Sequence, residues 1–521
     1  MNKPLSSLLR WGARLRSKAC LAGLALVCLL PLPPLLAVTL ADFGYTNANL
    51  IVNGKQTLGT RPLLIICANF SGQTPLPQPI SYYSNLVFNA GQMPSVNGFF
   101  QACSDGAFSI APSGAIMLNL PESQNFMYWS NLYPSHVRDG VYGSNIIAQA
   151  ILSGQLNLAQ YDGRHDGNVT PDELSIMVLV SDVGWQSGGA RVSPTVSVPG
   201  INYTWGSGAS DPNANFALLG AAASSFIVIC EEIEETWGAT DIYGPFAGGS
   251  PTQQCLSLSL SPQSCTYDSA NLYTPNPVWN YYYLDPWNRM ELGWCQPRIN
   301  SLTAGGIATI SAAQAGDPTA PIILYDPARG VGEFFILEYR TSTNSIYGSG
   351  YDQDVGNDHL GDPISSGLVI WHVQQDANHF YTSVTSPSGV TNTSAVWAEN
   401  SPDLIPSDIP KLWGSNSTTP ALKWIDGTQT LTTIHVRPFN PGDNTITVEW
   451  VSAEDTWVDF NYTGSPQSGT FSNPYKTMAA GLNAVSYGGT LHLKTGTNAE
   501  TPTISKPMKI VGYNGPAKVG S

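Results

Sequence analysis

The chain has 521 residues, with 37 acidic and 22 basic side chains and a formal net charge of −15 at pH 7. That charge excludes a typical nucleic-acid binder, which needs a basic surface to displace counterions. It also argues against attachment to anionic lipid. Only 11% of the residues are charged, fewer than long exposed helices need on their outer faces, so strands, turns and ordered loops are favoured.

Residues 1–41 have the pattern of a secretory signal peptide. A basic stretch from Lys3 to Lys18 precedes an apolar run that begins at Ala19, and small residues lead to a cleavage point after Ala41. Prolines interrupt the run before it could comfortably span a bilayer. We therefore expect a secreted or cell-surface protein with no membrane partner after signal removal.

Six cysteines remain in the mature chain, namely Cys67, Cys103, Cys230, Cys255, Cys265 and Cys295. Their even number permits disulfides in an exported protein, but spacing alone assigns no pairs. Cys255 and Cys265 would close the shortest loop. The sequence has no CxxC pair, which argues against a cysteine-held zinc site.

The segments up to residue 298 predict alternating strands and helices. Residues 61–70 and 174–181 are continuous apolar runs typical of strands buried on both faces, and residues 95–110 predict a helix, a turn and a strand. Residues 216–235 are rich in Ala and Leu and apolar nearly all round, which predicts one helix inside the domain. We expect an α/β or α+β domain over 42–298.

The pattern changes after residue 298. Short strands with turn signals over 299–452, such as 332–340, 367–373 and 444–450, predict a β-rich domain. Residues 453–521 resemble the opening of right-handed parallel β-helix domains, with a short capping helix around 475–485 and strands separated by Gly and Asn turns. A single coil cannot bury its own face. The sequence is therefore expected to be a fragment of a longer protein, or else to end in a partly ordered tail.

A first chemical motif is DGRHDGNVTPDE at 162–173, which follows the spacing of a calcium-binding loop. The candidate ligands are Asp162, Asp166, Asn168 and Glu173. Arg164 occupies the position at which calcium-binding loops have Asp or Asn, and this places a cation beside the expected ion. Calcium binding and a plain turn before a strand both remain open.

The second motif is EEIEETWGATDIY at 231–243. It resembles the active-site helix of the immune inhibitor A family of secreted zinc metallopeptidases, HExxHxLGxxDxY, with Gly238, Asp241 and Tyr243 in register. Further segments resemble that family in the same order along the chain, at 61–70, 95–110, 166–182, 284–294, 333–340 and 367–373. The resemblance implies a metallopeptidase-like body with an internal active-site helix.

The resemblance also implies roles for single residues. In the family two histidines one turn apart hold zinc, and the Glu after the first histidine activates the metal-bound water. Those positions are Glu231 and Glu235 for the metal and Glu232 for the general base, with Asp241 where a third ligand is expected. Both imidazoles are therefore replaced. The family's Met-containing turn corresponds to 256–264, which has no Met.

Four carboxylates within 231–235 repel one another, so the helix end must be solvated, protonated or occupied by a cation. A solvated acidic turn is the preferred interpretation. The second interpretation is a hard cation held by these carboxylates, since oxygen ligands favour calcium, magnesium or manganese over zinc. A working zinc site ranks third. The seven histidines are scattered, and His372, in a strand, is expected to be structural.

Three functional hypotheses follow. The leading one is a secreted metallopeptidase-like protein that has lost zinc catalysis and serves either in binding a protein or peptide or as a scaffold at the cell exterior. The second is an active metal-dependent endopeptidase with carboxylate ligands and Glu232 as base. The third is a carbohydrate-binding surface protein, suggested by the aromatic stretch at 274–287.

Overall fold

The fold is known from a computed structural model. It describes residues 38–45, 57–91, 94–185, 188–192, 195–206, 215–221, 226–239, 261, 283–341, 366–375, 384–385, 391–392, 396–398, 412–419, 421–424, 426–452, 455–485, 489–505 and 508–520. The described elements belong to one compact unit, Leu40–Ser521. Among the described residues, no helix combines the length and apolarity needed to cross a bilayer.

A five-stranded sheet organises the first part of the chain. The strands up to residue 220 are β1 Gly59–Phe70, β2 Phe108–Leu120, β3 Asn168–Val169, β4 Ser175–Val180, β5 Ala190–Val192, β6 Val196–Ser197, β7 Thr204–Trp205 and β8 Asn215–Gly220. The sheet has the order β2-β1-β4-β8-β5. The first four strands are parallel, and β5 pairs antiparallel with β8 at one edge. The short strands β3, β7 and β6 form a separate small sheet.

Helices cover both faces of this sheet. They are α1 Ile80–Phe88, α2 Val96–Cys103, α3 Phe126–Ser130, α4 Ser135–Leu152 and α5 Phe226–Glu235. Alternate residues of β1 point to opposite sides, as a strand requires. Leu63 and Ile65 join a core with α1, α2 and α5, whereas Leu64 and Ile66 join a second core with α4. The sheet is thus buried on both faces, as its continuous apolar strands predicted.

The strands predicted at 61–70 and 174–181 and the helix, turn and strand predicted at 95–110 are confirmed. The single helix predicted over 216–235 is wrong in its first part, where residues 215–220 form β8. A short apolar run such as FALLG fits a buried helix and a buried strand equally well. Pairing with β4 on one side and β5 on the other decides the outcome. The internal helix itself is confirmed over Phe226–Glu235.

The following part of the chain begins with α6 Pro286–Glu291 and is then rich in strands. They are β9 Arg298–Ser301, β10 Gly306–Ser311, β11 Ile322–Tyr325, β12 Glu333–Thr341, β13 Ser366–Gln374, β14 Val384–Thr385, β15 Thr391–Asn392, β16 Val396–Ala398, β17 Thr432–Val436 and β18 Thr445–Ser452. The sheets β16-β13-β12-β11-β9 and β10-β18-β17 share one core. The predicted strands at 332–340, 367–373 and 444–450 are confirmed.

The last part has β19 Thr456–Val458, α7 Met478–Ala484, β20 Thr490–Asn498 and β21 Lys509–Val519. The three strands are parallel, in the order β19-β20-β21. Leu482 of α7 packs with Leu491 and Leu493 in a small core. The helix predicted around 475–485 is confirmed. The β-helix assignment and the domain boundaries at 298 and 452 stay predictions.

Candidate functional site

The acidic end of α5 is buried. Relative exposure is 2% for Glu231, 5% for Glu232 and 0% for Glu234, and only Glu235 is half-exposed. The expectation of a solvated acidic turn is therefore wrong. Apolar residues before and within the motif hold it inside, since Ile229 and Ile233 lie in the same core as β1 and β4. A carboxylate in such a place must be compensated or protonated.

The turn after α5 explains Gly238 without catalysis. The Gly238 N–H donates to the Glu235 carbonyl (3.1 Å), and the Ala239 N–H donates to the Glu234 carbonyl (3.1 Å). Gly238 has φ = 116°, which side chains other than hydrogen disfavour. Trp237 anchors the turn because its indole N–H donates to Ser175 Oγ (2.9 Å). The match at Gly238 therefore reflects how the helix ends.

The general-base position faces an edge of the main sheet. A Cβ added to Gly188 would lie 2.3 Å from Glu232 Oε1, so the Glu232 carboxylate is packed against the Gly188 backbone. Gly188 lies two residues before β5. No motif in the sequence singles out Gly188, although the Gly188–Gly189 pair is a signal of close backbone approach. The structure thus brings the base position and the edge strand together.

The proposed metal ligands are only partly described. Glu231 and Glu235 are one turn apart on α5, but one is buried and the other half-exposed. Asp241 and Tyr243 lie outside the described residues. Within the described ranges, no group of three or more His, Cys, Asp or Glu side chains is placed to hold a metal ion.

These residues do not fit a resident zinc ion. Catalytic zinc sites use mostly imidazole donors together with one open position. The two ligand positions on α5 carry carboxylates, and Glu231 is enclosed by the core. No catalytic step is therefore derived through zinc. The stretch corresponding to the Met turn lies outside the described residues except for Ser261, whose hydroxyl donates to Asp285 Oδ2 (2.8 Å).

Three of the described histidine side chains have other partners. His372, predicted to be structural, is 1% exposed and its Nε2 is 2.8 Å from Glu333 Oε1. His435 Nδ1 is 2.9 Å from Thr418 Oγ1, and His492 Nε2 is 2.7 Å from Asp455 Oδ2. His359 and His379 lie outside the described residues.

The calcium-like loop contains its own cation. Arg164 Nη2 lies 2.8 Å from Glu173 Oε2 and 2.6 Å from Thr170 Oγ1. Both oxygens of Asp162 accept backbone N–H groups, from Asp166 (3.1 Å) and Gly167 (3.0 Å). Asn168 lies in β3, where its Oδ1 accepts from the Thr204 hydroxyl (2.8 Å). The geometry favours the plain turn over the calcium site, because the Arg164 guanidinium already compensates the negative charge of the Glu173 carboxylate.

We expect the loop to be independent of calcium. The thermal midpoint of the wild type should be the same in excess calcium and in EGTA, since Arg164 compensates Glu173. Replacing Arg164 with alanine should lower the free energy of unfolding by about 1 kcal/mol, because the pair is partly exposed. Arg164→Asn supplies an oxygen in place of the cation, and this variant should gain a rise in midpoint with calcium. A rise in the wild type would contradict this account.

The four described cysteines are all free thiols and all buried, at positions 67, 103, 230 and 295. Cys103, at the end of α2, and Cys230, on α5, lie in the same core. Burial raises the pKa of both thiols well above the usual range, and nearby Glu234 raises it further. These thiols are therefore poor nucleophiles. Cys255 and Cys265, which would close the shortest loop, lie outside the described residues.

No family model matches the sequence. No curated protein matches it either. The resemblance to the immune inhibitor A family therefore stays an inference from motifs.

Proposed function

We propose that the chain is an exported, metallopeptidase-like protein that binds an extended protein or peptide segment without hydrolysing it by a zinc mechanism. The observation that carries the proposal is the position of β5. This strand is the edge of the main sheet in the described part of the chain, and Glu232 packs against the backbone just before it. Export rests on the signal-like N-terminus.

The edge of β5 is suited to pairing with another strand. Gly189 O accepts from Leu218 N (2.9 Å), so residue 189 forms a hydrogen-bonded pair with β8. Ala190 opposes Ala217 in the next position. Along an antiparallel ladder, hydrogen-bonded pairs alternate with pairs that are not hydrogen-bonded. The pair at Ala190 is of the second kind, so the N–H and C=O of Ala190 point away from β8. An extended peptide can therefore add to this edge through its main chain.

The lack of zinc hydrolysis rests on the residues of α5. The base position keeps a carboxylate, but both positions for ligand histidines carry Glu, and Glu231 is buried. A carboxylate-held hard cation with Glu232 as base is the alternative function. It would require Asp241 or another group to complete the ligand set.

Binding can be tested with reduced, carboxymethylated α-lactalbumin as an unfolded probe chain. We expect the mature protein to bind it equally well with and without chelator. Ala190→Pro removes one outward N–H without breaking the ladder to β8, and binding should weaken about tenfold, the loss of about 1.4 kcal/mol. Ala190→Val keeps the N–H and should bind like the wild type. Equal binding by both variants, or no binding at all, would overturn the proposal.

A further inference from the structure

A groove of about 470 Å³ lies between the sheet β10-β18-β17 and the parallel strands β19-β20-β21. Its volume is within the range of small-molecule sites. The walls carry Arg437 and Glu449 from one side and Asp459, Phe471, Lys494 and Tyr513 from the other. None of these residues belongs to the acidic helix α5 or to β5, so this groove is separate from the peptide-binding edge.

The charges in the groove are already paired with one another. Arg437 forms an ion pair with the fully buried Glu449. Lys494 Nζ is 3.8 Å from Asp459 Oδ2 and donates to the Phe471 carbonyl (3.0 Å). Two cations thus face two carboxylates, which leaves no excess of either sign. An inorganic anion or a metal cation is therefore a poor match for this groove.

The aromatic rings of the groove are held in place. The Lys494 ammonium lies 4.2 Å from the centre of the Phe471 ring. The edges of Trp457 and Tyr513 contact the same ring, at centroid distances of 4.8 Å and 5.7 Å. Arg437 Nη2 lies 3.3 Å from the Tyr513 hydroxyl. Rings fixed in this way lose little conformational entropy when a ligand arrives.

The rim of the groove is polar but uncharged. Asn461, Thr495 and Asn514 line it and are exposed. The Asn461 amide donates to the Thr495 carbonyl (3.3 Å) and the Thr495 hydroxyl donates to the Tyr513 carbonyl (3.2 Å). The side-chain oxygens of all three residues can accept further hydrogen bonds, and the two amides have further N–H groups to donate. Asn514 has φ = 58°, a left-handed conformation that Asn tolerates, where the pairing register between β20 and β21 shifts. Uncharged donors and acceptors around half-buried rings suit a ligand with many hydroxyls and an apolar C–H face.

We propose that this groove binds a neutral oligosaccharide. Its hydroxyls would exchange hydrogen bonds with Asn461, Thr495 and Asn514, and its C–H faces would pack on Phe471 and Tyr513. The site lies outside the aromatic stretch at 274–287 that first suggested carbohydrate binding, and it consists only of described residues.

The test is calorimetric titration of the full chain with cellohexaose, xylohexaose, maltohexaose and chitohexaose. We expect at least one of these four probes to bind. Asn514→Gly keeps the left-handed backbone conformation but removes the amide, and it should weaken binding about tenfold. Asn416→Gly is the matched control, since Asn416 is also exposed and has φ = 60° but does not line the groove. This control should bind like the wild type.

A second variant, Thr495→Val, should also weaken binding. It tests whether the effect of Asn514→Gly comes from the lost amide and not from a change in the local backbone. Thermal midpoints of all variants verify that they are folded. Failure of all four oligosaccharides to bind overturns the proposal. So does binding that both groove variants retain, or a preference for inorganic phosphate or hexagalacturonate that weakens with salt.

Discussion

Replacing Glu338 with alanine is expected to lower the free energy of unfolding by about 3–5 kcal/mol, the range seen when one partner of a buried ion pair is removed. Glu338 is 1% exposed. Its Oε1 is 2.5 Å from Arg289 Nη2, and its Oε2 accepts from Arg340 Nη1 (3.1 Å) and the Trp371 indole (3.0 Å). The variant would leave two buried guanidinium groups without this carboxylate.

This network also connects different parts of the chain. Arg289 lies on α6, whereas Glu338 and Arg340 lie on β12. Arg340 Nη2 donates to the Tyr283 carbonyl (2.9 Å), and the Tyr283 hydroxyl donates to the Ala102 carbonyl at the end of α2. Loss of Glu338 should therefore loosen the contact between the first sheet region and the β-rich region.

Urea titration followed by tryptophan fluorescence measures this effect. Asp426→Ala is the matched control, because Asp426 forms an exposed ion pair with Arg329 (2.9 Å). Exposed pairs contribute about 0–1 kcal/mol, and Asp426 Oδ1 also accepts from the Thr428 N–H (2.8 Å) and hydroxyl (2.6 Å), so this control should lower the free energy of unfolding by about 1–2 kcal/mol. A Glu338→Ala variant as stable as the Asp426→Ala variant would contradict the expected contribution of the buried network.

The second large effect is a stabilisation. Asp105→Asn is expected to raise the free energy of unfolding at pH 7 by about 1–3 kcal/mol. Burial raises the pKa of Asp105 from 3.8 to about 6, although nearby Arg289 opposes the shift. Asn has nearly the same shape and tolerates the local φ of 52°. The substitution therefore removes the cost of ionising a buried carboxyl group.

The pH dependence follows from the direction of the shift. Below pH 3.8 the carboxyl group is protonated in both the folded and the unfolded chain, so it contributes no difference. As pH rises, the unfolded chain ionises first and is favoured, and this penalty is complete above about pH 6. The free energies of unfolding of the variant and the wild type should therefore converge near pH 4 and diverge towards pH 7.

Denaturant titrations at several pH values measure this divergence. Asp317→Asn is a control for which we expect the opposite effect on the free energy of unfolding. Burial raises the pKa of Asp317, but hydrogen bonds from Thr319 and Ser311 outweigh it and leave the pKa lowered. That substitution should destabilise the protein above the ordinary pKa of the group. An Asp105→Asn variant with the same pH profile as the wild type would contradict the burial argument.

The sequence predicted most of the buried elements because their apolar runs are unambiguous. Residues 63–68 of β1 and 176–180 of β4 are apolar at every position, so both faces had to be covered. Residues 215–220 could not be assigned in the same way. Ala and Leu favour a helix, and only the ladder between β4 and β8 makes that segment a strand.

The candidate site was less predictable because its chemistry depends on burial. A run of four Glu within five residues suggests a solvated surface, since isolated buried carboxylates are costly. Only the position of α5 against the sheet reveals that Glu234 is fully enclosed. The contact between Gly188 and Glu232 joins residues 44 positions apart. Such a contact follows from topology, which the local pattern does not encode.

The calcium-like loop gives a third example. Arg164 was recognised as a departure from the template, but its role could not be derived from spacing. In the fold its guanidinium reaches Thr170 and Glu173, so the acidic residues of the loop are compensated within the loop.

We propose that glutamates at the two expected ligand positions prevent zinc-dependent hydrolysis, although Glu232 occupies the expected position of the base. The most direct test is cleavage of fluorescein-labelled casein by the purified mature chain, with and without a zinc chelator and beside a Glu232→Gln variant. We expect no cleavage above background in any of these samples. Chelator-sensitive cleavage by the wild type that is lost in Glu232→Gln would contradict the claim and establish the protein as an active metallopeptidase.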